Sequence, residues 1–404
     1  MTTVGVLRET AGRERRVAVT PDGVTRLRRH DVRVLIETGA GRSAWFDDHH
    51  YTTAGAEIGT RPQVYAESDV LLCVRPPDDV GALPAGRLLI GLLDPLGDPA
   101  LAESLAAQGV TAVSLDLLPR TLSRAQPMDA LTSQANVAGY KAALLAAEAY
   151  GGFFPMLVTA AGTTKPAQVL VLGAGVAGLQ AIATARRLGA LVTGYDVREA
   201  ARGDIASTGA AVLDLATVTQ GPGSQATVTQ APGSQATVTQ APGSQAVVSQ
   251  ASGDGYAQQL ADDAAAAQLR ALDQAVPRFD VVITTAKVPG GRSPLLVSST
   301  ALAAMRPGSV VLDLGGGNVA GSAPDTRTVT DHGVTVIGAP NLASTVPVAA
   351  STAYARNAVA LLAHLMTDGV VRLDPADEVQ AAVLVCHGGD VVHPRLRDYQ
   401  KETR

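Results

Sequence analysis

The chain has 404 residues, 46% of them hydrophobic, with 41 glycines and 32 Lys and Arg against 37 Asp and Glu for a formal charge of −5. That length gives two or three domains with ample core, and the mildly acidic balance with no long basic run excludes nucleic acid as the main partner. Cys73 and Cys386 are the only cysteines, so no disulfide framework or zinc cluster is implied; residues 1–20 carry charge throughout, and no run of about 18 apolar residues could span a bilayer. A cytoplasmic, Ala- and Gly-rich α/β protein is expected.

In chain order, residues 3–7 read as a strand. Thr20-Pro21 is a helix start, Thr20 capping and Pro21 fitting the first helical position, and the helix runs to about Arg29. Residues 32–36, 70–74, 88–92 and 110–115 are short apolar runs between helical or loop segments, the alternation that builds a parallel sheet. Residues 131–150 are helix-like and join this half to the next.

Residues 169–172 form an apolar run short enough for a buried parallel strand. Gly173-Ala174-Gly175-Val176-Ala177-Gly178 follows, then a helical pattern with Leu179, Ile182, Ala183 and Leu188 on one face, stopped by Gly189. Residues 191–195 read as a second strand, with Asp196 at its end. Strand, glycine loop, helix, strand and acid come in the order a dinucleotide site needs. Gly173 allows the tight turn, Gly175 lets a pyrophosphate approach the backbone, and Gly178 lets helix and strand pack closely. The amides at the helix start face phosphate charge. Asp196 lies 18 residues past Gly178, where a carboxylate accepts from ribose hydroxyls and repels a 2′-phosphate. The reading is NAD rather than NADP.

The second half continues with strands at 281–285, 309–314 and 334–337 and a helix at 299–305. After Asn341 comes a long helix, about 348–366, expected to return to the first domain. The tail from Asp368 is mixed, and its charged end, 395–404, is expected to fray. One stretch differs from the rest. Residues 216–225 read ATVTQGPGSQ, residues 226–235 and 236–245 repeat this as ATVTQAPGSQ, and residues 246–255 are a degraded fourth copy. Its apolar content is too small to offset the entropy of ordering. A flexible insertion left by local duplication is expected, with a small β-meander as the alternative.

The segments Gly5-Val6-Leu7-Arg8-Glu9 and Glu14-Arg15-Arg16-Val17-Ala18-Val19-Thr20-Pro21 resemble the alanine dehydrogenase and pyridine-nucleotide transhydrogenase superfamily. Two more choose the branch: Pro119-Arg120 with residues 123–140 (SRAQPMDALTSQANVAGY), and Phe154-Pro155-Met156 with Thr159-Ala160-Ala161-Gly162-Thr163. Both are similar to the NAD(H)-binding part of the proton-translocating NAD(P) transhydrogenase α subunit. The resemblance spans nearly the whole chain except the decapeptides.

It implies two Rossmann-like domains with parallel sheets, joined by long helices: residues 1–130 plus 342–404, and residues 131–341 with the insertion at 216–255. It implies hydride transfer between NAD(H) here and NADP(H) on a partner. The partners are a membrane-spanning subunit that carries protons and an NADP(H)-binding β subunit. A homodimer, peripheral to the cell membrane through those subunits and active only with them, is expected. The chain is similar to the NAD(H)-binding portion alone, as in enzymes whose α subunit is divided into separate polypeptides.

The resemblance also places the site. Arg120, Gln126, Met128, Asp129 and Thr132 match the loop around the nicotinamide end, with Leu122 as a one-residue insertion. Val176 matches the glycine loop; Asp196, Val197 and Arg198 match the adenosine-ribose contacts. Gly255 and Tyr256 match a loop that closes over the nucleotide, and Gln268 a further contact. Lys287, in Thr284-Thr285-Ala286-Lys287-Val288-Pro289-Gly290, stands where the family has an aliphatic residue, and Gly315-Gly316-Gly317-Asn318 departs from the usual pattern.

Hydride transfer between two nicotinamides needs no acid or base; protein supplies binding and orientation. Gln126, Asp129 and Arg120 are therefore expected to hold and aim the ring. An alanine-type dehydrogenase needs more, a proton-relay group and a carboxylate clamp. Where that branch has a Lys and a His, this chain has Arg75 and Asp94; Arg16 is retained. An NAD-binding module without turnover is the third reading. The histidines show no metal-ligand spacing, and no metal is expected.

Overall fold

The computed structural model describes residues 1–215, 262–288 and 291–397; the decapeptides, Gly255, Tyr256 and the last charged residues lie outside the described residues. The chain divides into two compact units, Met1–Val137 with Ala343–Arg404, and Ala138–Leu342.

The first unit begins with β1 (Thr3–Val6), β2 (Arg33–Glu37), β3 (Glu57–Gly59), β4 (Val70–Leu72), β5 (Leu88–Gly91) and β6 (Thr111–Ser114). They lie side by side in the order β3-β2-β1-β4-β5-β6, all parallel. This is the doubly wound order, which reverses between β1 and β4. The central strands β1, β4 and β5 are buried at every position because both faces are covered. Val4, Val6, Ile36, Leu72 and Ile90 pack on one face with the helices Pro21–Leu27 and Pro347–Leu365. Leu35, Leu71 and Leu89 pack on the other with Val64 and Leu105. Thr20 caps the first of these helices, its hydroxyl accepting from the Gly23 N–H.

The second unit takes up the later part of the helix Ala130–Ala149 and then a two-stranded hairpin, β7 (Leu157–Thr159) and β8 (Gly162–Thr164). Its sheet contains β9 (Gln168–Leu172), β10 (Leu191–Tyr195), β11 (Ala211–Val212), β12 (Val281–Thr284), β13 (Val310–Asp313), β14 (Thr326–Val329) and β15 (Thr335–Gly338). The spatial order is β11-β10-β9-β12-β13-β15-β14, parallel except for the edge strand β14. The same doubly wound order recurs, and its reversal falls between β9 and β12. Crevices at such points, outside the carboxyl ends of the strands, are where open α/β sheets bind ligands.

The C-terminal stretch is more ordered than its mixed composition suggests. After the short pair β16 (Met366–Thr367) and β17 (Val370–Val371), β18 (Leu384–His387) adds antiparallel to β6, and β19 (Asp390–Val391) adds to β18. Among the described residues no helix is long and apolar enough to cross a membrane.

Candidate functional site

In the second unit the chain leaves β9 at Leu172 and enters a turn that only glycines allow. Gly173 has φ +100°. A Cβ there would come within 2.7 Å of the Thr285 Oγ1, just beyond β12. The Thr285 hydroxyl in turn donates to the Gly173 carbonyl at 3.0 Å. The helix Val176–Arg187 starts next, with Gly175 in extended backbone at its cap. A Cβ on Gly178 would overlap the Gly173 carbonyl oxygen, so the helix lies on the strand end only because residue 178 has no side chain. Gly175 has open space beside it. The first amides of the helix have no acceptor within it, and with the helix dipole they form an anion site.

Asp196 stands at the end of β10, buried. Its Oδ2 accepts the Ala174 N–H at 2.7 Å, and its Oδ1 accepts the Arg198 N–H at 2.9 Å. The Arg198 guanidinium bonds the same carboxylate, with Nε 3.1 Å from Oδ1; that bond holds the Arg198 pKa above its ordinary value. The acid is thus hooked to the glycine turn, 22 residues earlier in the chain. Val197 is half-buried beside it. Gln268, on the helix Asp262–Ala275, donates to the Tyr195 hydroxyl at 3.2 Å. Burial pushes the Tyr195 pKa up. Lys287 is exposed on the loop after β12. Gly316 and Gly317 fold back so that their N–H groups donate to Asp313 at 2.9 and 2.8 Å.

In the first unit, Arg120, Asp129 and Thr132 form a closed polar triangle. Asp129 Oδ1 accepts the Thr132 N–H at 2.8 Å, and the Thr132 hydroxyl donates to Oδ2 at 2.6 Å. Arg120 reaches both, with Nε 3.3 Å from Asp129 Oδ2 and Nη2 2.9 Å from Thr132 Oγ1. Leu122 packs toward the first core. Gln126 is exposed on the short helical segment Ser123–Met128, its backbone carbonyl accepting the Asp129 N–H. Arg124 anchors that segment to Glu378 at 3.1 Å. The Met128 side chain is buried in the first core.

Two residues lie in segments that carry the resemblance, but the sequence assigned neither of them a role. One is Thr285, whose hydroxyl clasps the Gly173 carbonyl. The other is Glu9, whose carboxylate accepts the Val74 N–H at 2.6 Å and the Arg75 N–H at 3.0 Å. It closes the reversal point between β1 and β4, and burial pushes its pKa up to about 7. Nearby, Arg16 is spent on a buried bidentate pair with Glu14, two bonds of 2.7 Å, and donates to Gln134 at 2.9 Å. Among the described residues no cluster of His, Cys, Asp and Glu could hold a metal ion.

Strand order and glycine turn define the class, a Rossmann-like nucleotide-binding fold. Family models for the alanine dehydrogenase/PNT N-terminal and C-terminal domains match residues 5–138 and 142–394. The chain belongs to the alanine dehydrogenase/PNT family. It is 37% identical to the NAD(P) transhydrogenase subunit alpha of Cereibacter sphaeroides, over 97% of this chain and 71% of that protein. The crystal structure of transhydrogenase from Sinorhizobium meliloti matches with TM-score 0.78 at 35% identity, over 97% of this chain and 99% of the other. The alanine dehydrogenase of Mycolicibacterium smegmatis is more distant, at 27% identity over 96% and 94%.

Proposed function

We propose that this chain is the NAD(H)-binding subunit of a proton-translocating NAD(P) transhydrogenase. The observation that carries this reading is the Gly173–Gly178 turn with Asp196 beside it, at the strand-order reversal of the second sheet. The free amides of the helix start hold the pyrophosphate. Asp196, Val197 and Arg198 hold the adenosine ribose, and a carboxylate at that point disfavours a 2′-phosphate. Val176, Gln268 and Lys287 add contacts. The bound nicotinamide supplies the hydride.

The resemblance implies that the loop at residues 120–132 holds and aims the ring. Asp129 and Thr132 fix the loop as a rigid cap, Arg120 braces it, and Met128 anchors it in the core. Gln126 stays exposed with an amide that both donates and accepts, so it aligns the ring without bringing charge beside it. Hydride passes between NAD(H) here and NADP(H) on a β subunit, and a membrane-spanning subunit couples transfer to proton movement. The chain works as a homodimer at the membrane face through those subunits.

The test is a pair of titrations followed by mixing. NADH and NADPH are titrated separately by calorimetry, and NADH is expected to bind tighter. Equal or tighter NADPH binding overturns the cofactor assignment. The NADH-loaded protein is then mixed with an NADP-binding partner subunit and transfer is followed in a single turnover. No transfer with a competent partner overturns the transhydrogenase reading.

A further inference from the structure

The phosphate-binding turn is held from a side that no motif marks. Gly139, in the helix Ala130–Ala149, is buried. A Cβ on Gly139 would overlap the carbonyl oxygen of Ala177 and lie 2.8 Å from its carbonyl carbon and 2.9 Å from its Cα. Ala177 is the second residue of the helix Val176–Arg187, inside the turn whose amides lack intrahelical acceptors. All three neighbours are backbone atoms, so no flexible side chain can yield to an added methyl.

We propose that Gly139 is a positioning residue for the pyrophosphate: its bare Cα is the backstop that sets where the first turn of the Val176–Arg187 helix presents its amides. This rests on the NAD(H) reading. The rest of the turn is already fixed. Thr285 holds the Gly173 carbonyl, Asp196 holds the Ala174 N–H, and Gly178 sits on the Gly173 carbonyl. A methyl at 139 therefore pushes the helix start, by about 1 Å if a normal van der Waals separation is restored. Hydrogen bonds from N–H to oxygen hold only over about 2.7–3.2 Å, so a shift of that size takes amides out of range of a phosphate.

The experiment uses the full chain and two probes, ADP and adenosine, titrated into wild type, Gly139→Ala and Gly338→Ala. Gly338 is the control. A Cβ there would also overlap a backbone carbonyl oxygen, that of Ala323, with its carbon 2.8 Å away. It lies at the end of β15, three strands from β9. Gly139→Ala is expected to weaken ADP binding about tenfold or more, the loss of one or more bonds to a charged group, and to leave adenosine binding unchanged. Gly338→Ala is expected to lower Tm and leave ADP binding unchanged. Undiminished ADP affinity in Gly139→Ala, an equal loss for adenosine, or an equal loss of ADP affinity in Gly338→Ala overturns the proposal. If Gly139→Ala does not fold, hydrogen exchange on wild type decides. ADP is expected to slow exchange at residues 139–143 as well as 176–179, and protection confined to 176–179 overturns the proposal. A wild type that binds neither ADP nor NADH overturns the NAD(H) reading itself, a result distinct from all of these.

Discussion

Asp196 carries two loads with one carboxylate. In the proposed site it meets the adenosine ribose, and through the Ala174 N–H it fixes the glycine turn. Asp196→Asn removes the charge from three donors, and bonds to a charged group are worth roughly 1.5–3 kcal/mol each. NADH affinity is expected to fall about ten- to a hundredfold, and Tm to fall with it because Ala174 loses a charged acceptor. Calorimetry and thermal melts check both; a variant with weakened NADH binding and unchanged Tm would show that the hook adds no stability. Gln126 predicts the opposite division. It is exposed and outside the Arg120–Asp129–Thr132 triangle, so Gln126→Asn shortens the reach by one methylene without disturbing the loop. Misplacement by about 1 Å costs on the order of 10²-fold in rate. The single-turnover rate with an NADP-binding partner is expected to drop by that order while the NADH Kd barely moves. Matched losses in rate and affinity would make Gln126 an ordinary binding residue.

At the scale of elements, the ends of β1 and β4 are tied by Glu9, and that tie titrates. Its ordinary pKa is 4.5 and burial pushes it up to about 7. The folded state therefore holds the proton more tightly than the unfolded chain. The stability contributed is fully present below about pH 4.5 and is lost as pH rises through about 7. Each decade is about 1.4 kcal/mol, so the loss runs to a few kcal/mol. Glu9→Gln cannot titrate. The Tm of Glu9→Gln relative to wild type is expected to climb between about pH 5 and pH 8; a difference that stays flat across that range rules out Glu9 as the titrating group.

The elements that were readable in the sequence are those whose apolar pattern is continuous. β9, β12 and β13 are buried on both faces and stand out as runs, and Pro347–Leu365 and Ala130–Ala149 are long enough to show their period. β3 has three residues and exposes Glu57, and β14 is exposed along its whole length; neither has a run to read. β18 pairs with β6 across most of the chain's length, a long-range choice that no local pattern encodes. The site divides in the same way. Spacing alone announces the glycine turn and Asp196. The Asp196–Ala174 bond, the Thr285 clasp and the Gly139 backstop arise only when separate segments meet.

At the scale of the whole molecule, two activities compete for one fold, and the first unit separates them. Oxidising an amine requires a group that can take a proton and a cation free to clamp the substrate carboxylate. A guanidinium is not a base for such a step; Arg75 is exposed, with its N–H on Glu9. Asp94 is exposed too, held at φ +46° with its N–H donated to Asp116 at 2.9 Å. Arg16 has its Nε and Nη2 on the Glu14 carboxylate and its Nη1 on Gln134, and sits 5% exposed. Freeing it would break a buried ion pair, a cost of several kcal/mol. Hydride transfer between nicotinamides needs none of these groups. Alanine with NAD, and pyruvate plus ammonia with NADH, are therefore expected to give no change in NADH absorbance above the no-enzyme rate. The same preparation is expected to bind NADH and to pass hydride when its NADP-binding partner is added. Sustained turnover with alanine would mean that a proton-relay group lies elsewhere in the chain, and the transhydrogenase reading would fall with it.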